Sequence, residues 1–203
     1  MERVIAYVDG FNLYFGLRAK GWRRYYWLDV HLLAQNLLQH HQRLVATKYF
    51  TSRISNPPSK QKRQSDYLEA LETASTVSIS YGQYQHYPSR CQKCGHSNYV
   101  PHEKMTDVNI AVELLTDAFQ DGFDTALLIT ADSDLSGPVS AVRRLFPNKR
   151  IIVGFPPARR SLELQKRATG CFTIGRASIA NSLLPTEIAK PSGYVLTCPQ
   201  RWR

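Results

Sequence analysis

The chain has 203 residues, 43% of them apolar, and its 26 Lys+Arg against 16 Asp+Glu give a net charge of +10. That length fits one compact α/β domain with a tail, and the apolar fraction excludes wholesale disorder. No run approaches the roughly 18–20 apolar residues that span a bilayer, so a soluble, cytoplasmic protein with no membrane partner is expected.

The punctuation alternates strands with helices. Val4-Ile5-Ala6-Tyr7-Val8 is too short and too early for a signal peptide. It reads as a parallel strand buried on both faces and ending in Asp9-Gly10. Asp29 caps a segment with apolar residues at Val30, Leu33, Ala34, Leu37 and Leu38, which is one face of a helix. Residues 44–51 read as a strand, Asn56-Pro57-Pro58 as a breaker, 60–75 as a charged helix and 77–81 as a third strand. The stretch 82–103, rich in Tyr, His, Cys and Pro, interrupts the rhythm as an insert. Val108, Ala111, Val112, Leu115, Ala118 and Phe119 restore the helical period, and 125–131 is the strongest buried strand. A helix at 138–146, a strand at 151–155, a helix at 160–168 and a strand at 171–174 follow. Strands separated by helices imply a parallel sheet with right-handed crossovers. Residues 181–203 form a Pro- and Gly-punctuated tail, a candidate hairpin, and the chain carries no internal repeat.

In open α/β sheets ligands bind outside the carboxyl ends of the strands, and the acidic residues fall there. Asp9 follows the first strand, Asp132 and Asp134 follow the 125–131 strand, and Asp107 opens a helix three residues before Ile110. Two unit charges about 4 Å apart repel by roughly 1 kcal/mol in water and roughly 4 kcal/mol at an effective dielectric near 20. Converging carboxylates therefore call for protons or cations, and hard oxygen ligands favour Mg²⁺ or Mn²⁺. Such an ion lowers the pKa of a bound water and polarises a phosphoryl oxygen. Any one of these aspartates reads equally well as a helix cap or turn residue. The coincidence of all four points to a metal site.

Tyr7-Val8-Asp9-Gly10-Phe11-Asn12-Leu13, then Lys104-x-x-Asp107, then Leu128-Ile129-Thr130-Ala131-Asp132-Ser133-Asp134 resemble the NYN domain family of the PIN-like nuclease superfamily. The resemblance runs from about Val4 to about Ile179. It implies a three-layer α/β/α sandwich with a mostly parallel central sheet over residues 1–180, with the tail outside it. It also implies metal-dependent ribonuclease chemistry, with Asp9, Asp107, Asp132 and Asp134 at the metal-binding positions and Asn12 at the Asn of the D-G-x-N motif. Asp107 serves as a further ligand or as orienter of the attacking water, Ser133 as a positioning group, and Lys104 as a stabiliser of phosphate charge.

The insert departs from that family's minimal pattern. Cys91-Gln92-Lys93-Cys94-Gly95-His96 has the shape of a zinc knuckle, and a tetrahedral site would take His96 and His102 as its other ligands. A redox pair or plain reduced thiols are the alternatives. The four cysteines are too few for a secreted disulfide scaffold.

The basic residues come in clusters, and RNA is the expected partner, of a monomer or a homodimer alike. Arg18, Arg23 and Arg24, near Trp22 and Tyr25, are the first candidates for nucleic-acid contact, and Arg159 and Arg160 the next. The expected activity is hydrolysis of RNA phosphodiester bonds. One rival is a catalytically weak RNA- or protein-binding module, against which the concentrated acids argue. A small-molecule hydrolase of the haloacid-dehalogenase kind would want D-x-D at the first strand, where this chain has Asp9-Gly10-Phe11.

Overall fold

The computed structural model describes residues 1–90, 94, 95 and 97–203, with the backbone alone for 84–90 and 98–104. In chain order the elements are β1 (Glu2–Asp9), α1 (Gly10–Ala19), α2 (Val30–Asn36), β2 (Gln42–Thr51), α3 (Pro58–Ala74) and β3 (Ser78–Tyr81). Then come β4 (Gln83–Arg90), β5 (Ser97–Lys104), α4 (Thr106–Phe119), β6 (Thr125–Ile129), α5 (Ser136–Leu145) and β7 (Arg150–Phe155). The chain closes with α6 (Leu162–Arg167), β8 (Gly170–Thr173), α7 (Arg176–Ala180), β9 (Glu187–Ala189) and β10 (Val195–Thr197).

Six strands form one sheet in the order β3-β2-β1-β6-β7-β8, every pair parallel. The period-two alternation of β1 explains why both faces are covered. Val4, Ala6 and Val8 point into a core with Leu13 and Leu17 of α1, Leu33 of α2 and Leu71 of α3. Ile5 and Tyr7 point into a second core with Ile110 and Leu114 of α4, Val139 of α5 and Leu164 of α6. The result is a three-layer α/β/α sandwich. Successive strands run outward from β1 on one side and from β6 on the other, so the strand order reverses between these two while all strands stay parallel. The carboxyl end of that reversal is where a doubly wound sheet opens a crevice.

The helix α1 has no counterpart in the sequence-based expectation. Gly10 and Gly16 weaken it by roughly 1 kcal/mol each relative to alanine, so its intrinsic signal is poor. Both glycines answer to close packing. A Cβ on Gly10 would lie 2.5 Å from the Tyr49 hydroxyl and 2.9 Å from the Phe50 carbonyl oxygen. One on Gly16 would lie 2.7 Å from the Pro157 carbonyl oxygen. Tertiary contacts at Leu13 and Leu17, together with an Asp9 cap, hold a helix that propensity alone would not.

The segment expected as an insert contains an antiparallel pair, β4 with β5, Gln83 opposite Lys104 and Arg90 opposite Ser97. Cys94 is exposed. Cys91 and His96 of the candidate zinc site lie outside the described residues, as do the side chains of His102 and Lys104. The tail forms the β9–β10 hairpin. Trp202 beyond it packs near Trp27, Tyr26 and Tyr67, at ring-centroid distances of 6.3, 5.7 and 6.4 Å. Among the described residues no helix is long and apolar enough to cross a membrane.

Candidate metal centre

Asp9 ends β1 and caps α1, so one side chain joins the sheet to the helix that follows. Its carboxylate is 2% exposed. Oδ1 accepts the backbone N–H of Asn12 at 2.9 Å, while Oδ2 accepts the Asn12 amide at 2.6 Å and the Thr130 hydroxyl at 2.9 Å. A carboxylate has about four lone-pair sites, so these three donors leave roughly one direction open. Burial raises the pKa of Asp9 above the ordinary carboxylate range. The bonds from Asn12 and Thr130 oppose that shift, and the nearby Asp132 charge adds to it.

Asp132 follows β6 and caps the 3₁₀ turn Ser133–Leu135, its Oδ1 accepting the Asp134 N–H at 3.0 Å. Asp107 stands in the first turn of α4, which begins after Met105 in the left-handed conformation (φ 77°). Lys48 on β2 ties α4 down, bonding Glu113 at 2.6 Å and Asp117 at 2.7 Å, and the Tyr7 hydroxyl donates to Asp117 at 2.6 Å. These bonds join α4, the helix that carries Asp107, to β1 and β2 of the sheet.

Asp9, Asp107 and Asp132 each offer an oxygen within 4.8 Å of the others. Two oxygens on one octahedral Mg²⁺ lie about 3 Å apart when adjacent and about 4 Å when opposite, given metal–oxygen distances near 2.1 Å. The spread of the trio is of the order that one hard cation spans. Asp134 and Ser133 are exposed and lie outside this trio. What ties Asp134 to it is its backbone N–H on Asp132.

Beside the acids an open cleft of about 610 Å³ is lined by Phe15, Arg18, Ala19, Ala131, Ala158, Arg159 and Arg160. Three of the five arginines expected to meet nucleic acid are therefore here. Arg23 and Arg24 stand apart on the 3₁₀ turn Arg23–Tyr25, where Arg24 covers the Tyr25 ring at 4.9 Å and donates to its hydroxyl at 2.9 Å. Arg159 also donates to Asn12 Oδ1 at 2.8 Å.

Thr130 and Phe15 are contributors that the sequence reading did not single out. A hydroxyl residue near the end of the strand read as 125–131 was the available signal for Thr130. Phe15 had none, because α1 itself was not anticipated.

The NYN domain model matches residues 3–175. A Vibrio parahaemolyticus protein of unknown function, known from its crystal structure, is similar in fold: TM-score 0.54 and 20% identity over 90% of this chain and 96% of that one. None of the curated proteins matches. The D-G-x-N turn, the acids at the carboxyl edge and the family match over most of its length agree: the chain belongs to the NYN domain family.

Proposed function

We propose that this protein is a divalent-metal-dependent ribonuclease, with Asp9, Asp107 and Asp132 holding Mg²⁺ or Mn²⁺ and Asp134 assisting from the rim. The observation that carries the reading is Asp9: a carboxylate 2% exposed, facing two other acids, beside a cleft lined by arginines. A purely structural cap has no reason to be buried next to like charge. The trio's all-oxygen donor set fits a hard cation. When bound, that cation supplies an activated water and neutralises charge developing on phosphate.

The chain's own residues supply the rest. Asn12 and Thr130 keep the Asp9 oxygens in one orientation, so no reorganisation is needed as charge develops. Arg18 and Arg160 offer cationic contacts to phosphates flanking the scissile one, and the half-exposed Phe15 ring offers a stacking face to an unpaired base.

The test is cleavage of mixed RNAs by purified protein in Mn²⁺ against EDTA, with end-group analysis. Water as nucleophile predicts 5′-phosphate and 3′-hydroxyl ends, and Asp9→Asn should abolish them. A binding module on this fold would retain RNA but cut none. Cleavage of phosphomonoesters with no cut RNA would point to a small-molecule hydrolase.

A further inference from the structure

Arginines in a cleft beside an acidic site read naturally as phosphate contacts, but the three here are not equivalent. Arg160 bonds the Gln165 side-chain oxygen at 2.8 and 3.1 Å on the rim, and Arg18 comes from α1. Arg159 turns inward. Its Nη1 donates at 2.8 Å to Asn12 Oδ1, and the Asn12 amide nitrogen donates at 2.6 Å to Asp9 Oδ2. Among the described residues no carboxylate forms an ion pair with Arg159 within 4.0 Å.

We propose that Arg159 is a positioning residue of the centre, acting on Asp9 through Asn12 rather than holding substrate phosphate; the inference rests on the metal reading of the three acids.

The chemistry of the two side chains makes the link directional. A guanidinium has donors and no acceptor, so Asn12 meets Arg159 only with its carbonyl end. The NH₂ end is thereby turned to Asp9. Without Arg159 the amide keeps one anchor and gains freedom to rotate, and the donor to Oδ2 is held less firmly. Groups that orient metal ligands in this way commonly carry 10–100-fold in metal affinity or activity.

The loop after β7 is built to hold that arginine. Ala158 adopts φ 57°, the left-handed region that costs a non-glycine residue energy and that surrounding structure must impose. Pro156 and Pro157 precede it, and the missing side chain at Gly16 lets their backbone lie against α1. The guanidinium carbon of Arg159 sits 5.7 Å from the Phe15 ring centroid. Ser161 then caps α6 by accepting the Leu164 N–H at 3.3 Å. A residue meant to sweep up phosphates needs none of this fixing.

A double-mutant cycle separates the two roles. Arg159→Ala, Asn12→Ala and the double variant are compared with wild type for Mn²⁺ affinity, read by Mn²⁺ electron paramagnetic resonance, and for kcat, KM and the salt slope of metal-free RNA binding. Positioning predicts that each single variant loses 10–100-fold in Mn²⁺ affinity or kcat and that the double is within about twofold of the worse single. KM and the salt slope should stay near wild type, whereas Arg18→Ala should raise KM.

Arg159→Met retains aliphatic packing on Phe15 without a donor, and it should behave like Arg159→Ala. If Arg159→Met has wild-type affinity, packing is the role and the proposal falls. It also falls if Arg159→Ala raises KM and lowers the salt slope by about one with kcat intact, or if the two losses multiply. Coupled loss of Mn²⁺ affinity in the variants, with a wild type that binds Mn²⁺ but cuts no RNA, would uphold the positioning role and overturn the ribonuclease. A wild type that binds no Mn²⁺ overturns both.

Discussion

The Thr130 hydroxyl joins two acids that reach the site from different strands: it donates to Asp9 Oδ2 at 2.9 Å and accepts the Asp132 N–H at 3.1 Å. Thr130 is fully buried, and its bond to Asp9 is shielded from solvent, while the bond it accepts from Asp132 is partly buried. Thr130→Val keeps the shape and removes both bonds. It should cost about 1.5–3 kcal/mol, since the lost donor served a buried charged group. Thr130→Ser should retain most of the stability. Urea denaturation in EDTA reads both, and a Thr130→Val protein as stable as wild type would mean that the hydroxyl does not hold Asp9.

Repulsion within the trio carries its own consequence for the metal-free protein. Asp132→Asn keeps the side-chain oxygen that caps Ser133–Leu135 while removing charge beside Asp9. The variant should be more stable than wild type in EDTA by roughly 1 kcal/mol, the size of one carboxylate repulsion in a well-solvated setting. In a chain of this length that corresponds to a melting temperature higher by about 2–4 °C. Millimolar Mn²⁺ should then stabilise wild type and leave the variant almost unmoved. A variant that melts below wild type in EDTA would argue against electrostatic strain in the apo site.

Lys48 tests a different part of the structure. It is 17% exposed at the side chain, and its ammonium bonds Glu113 and Asp117, the latter only 12% exposed. Lys48→Met leaves Asp117 with only the Tyr7 hydroxyl among these partners, and breaking such a pair should cost about 3–5 kcal/mol. Arg3 at the amino end of β1 bonds the much more exposed Asp121 and Asp124, so Arg3→Met should cost far less than Lys48→Met. Denaturation midpoints of the two variants give the ranking directly, and the reverse order would refute the assignment of Lys48 as the anchor of α4.

The Arg3 edge nevertheless shapes the acid limb of stability. Bonds from Arg3 hold the Asp124 pKa down to about 2, and Lys149 and Arg3 hold Asp121 below its ordinary value. Both folded-state values lie under the unfolded ones. Their contribution is therefore complete above the usual carboxylate range and is lost as pH falls through that range toward about 2. Arg3→Met should flatten stability against pH over that window, with its deficit relative to wild type largest near neutrality and vanishing toward about pH 2. Melting curves between those limits check it; an acid limb as steep in Arg3→Met as in wild type would contradict it.

The parallel sheet was legible because β1 and β6 are apolar on both faces, a pattern that surface strands lack. The D-G-x-N turn and the acids after β6 were legible because they stand directly at strand ends. By contrast, α1 was hidden: Gly10 and Gly16 are there for the packing of neighbours far along the chain, and local propensity counts them against a helix. The contact of Arg159 with Asn12 spans 147 positions. In sequence Arg159-Arg160 is one basic pair, and only the backbone at Ala158 and the space left by Gly16 separate the inward arginine from the outward one. Asp134 illustrates the same limit: adjacency to Asp132 says nothing about which carboxylate faces Asp9.

Whether one cation is shared by acids from three segments is measured most directly by anomalous diffraction from Mn²⁺-soaked crystals. The predicted result is a peak about 2.1 Å from one oxygen each of Asp9, Asp107 and Asp132, absent from Asp9→Asn crystals soaked in the same way. No peak in wild type, or a peak that leaves Asp9 out of its coordination, would contradict it.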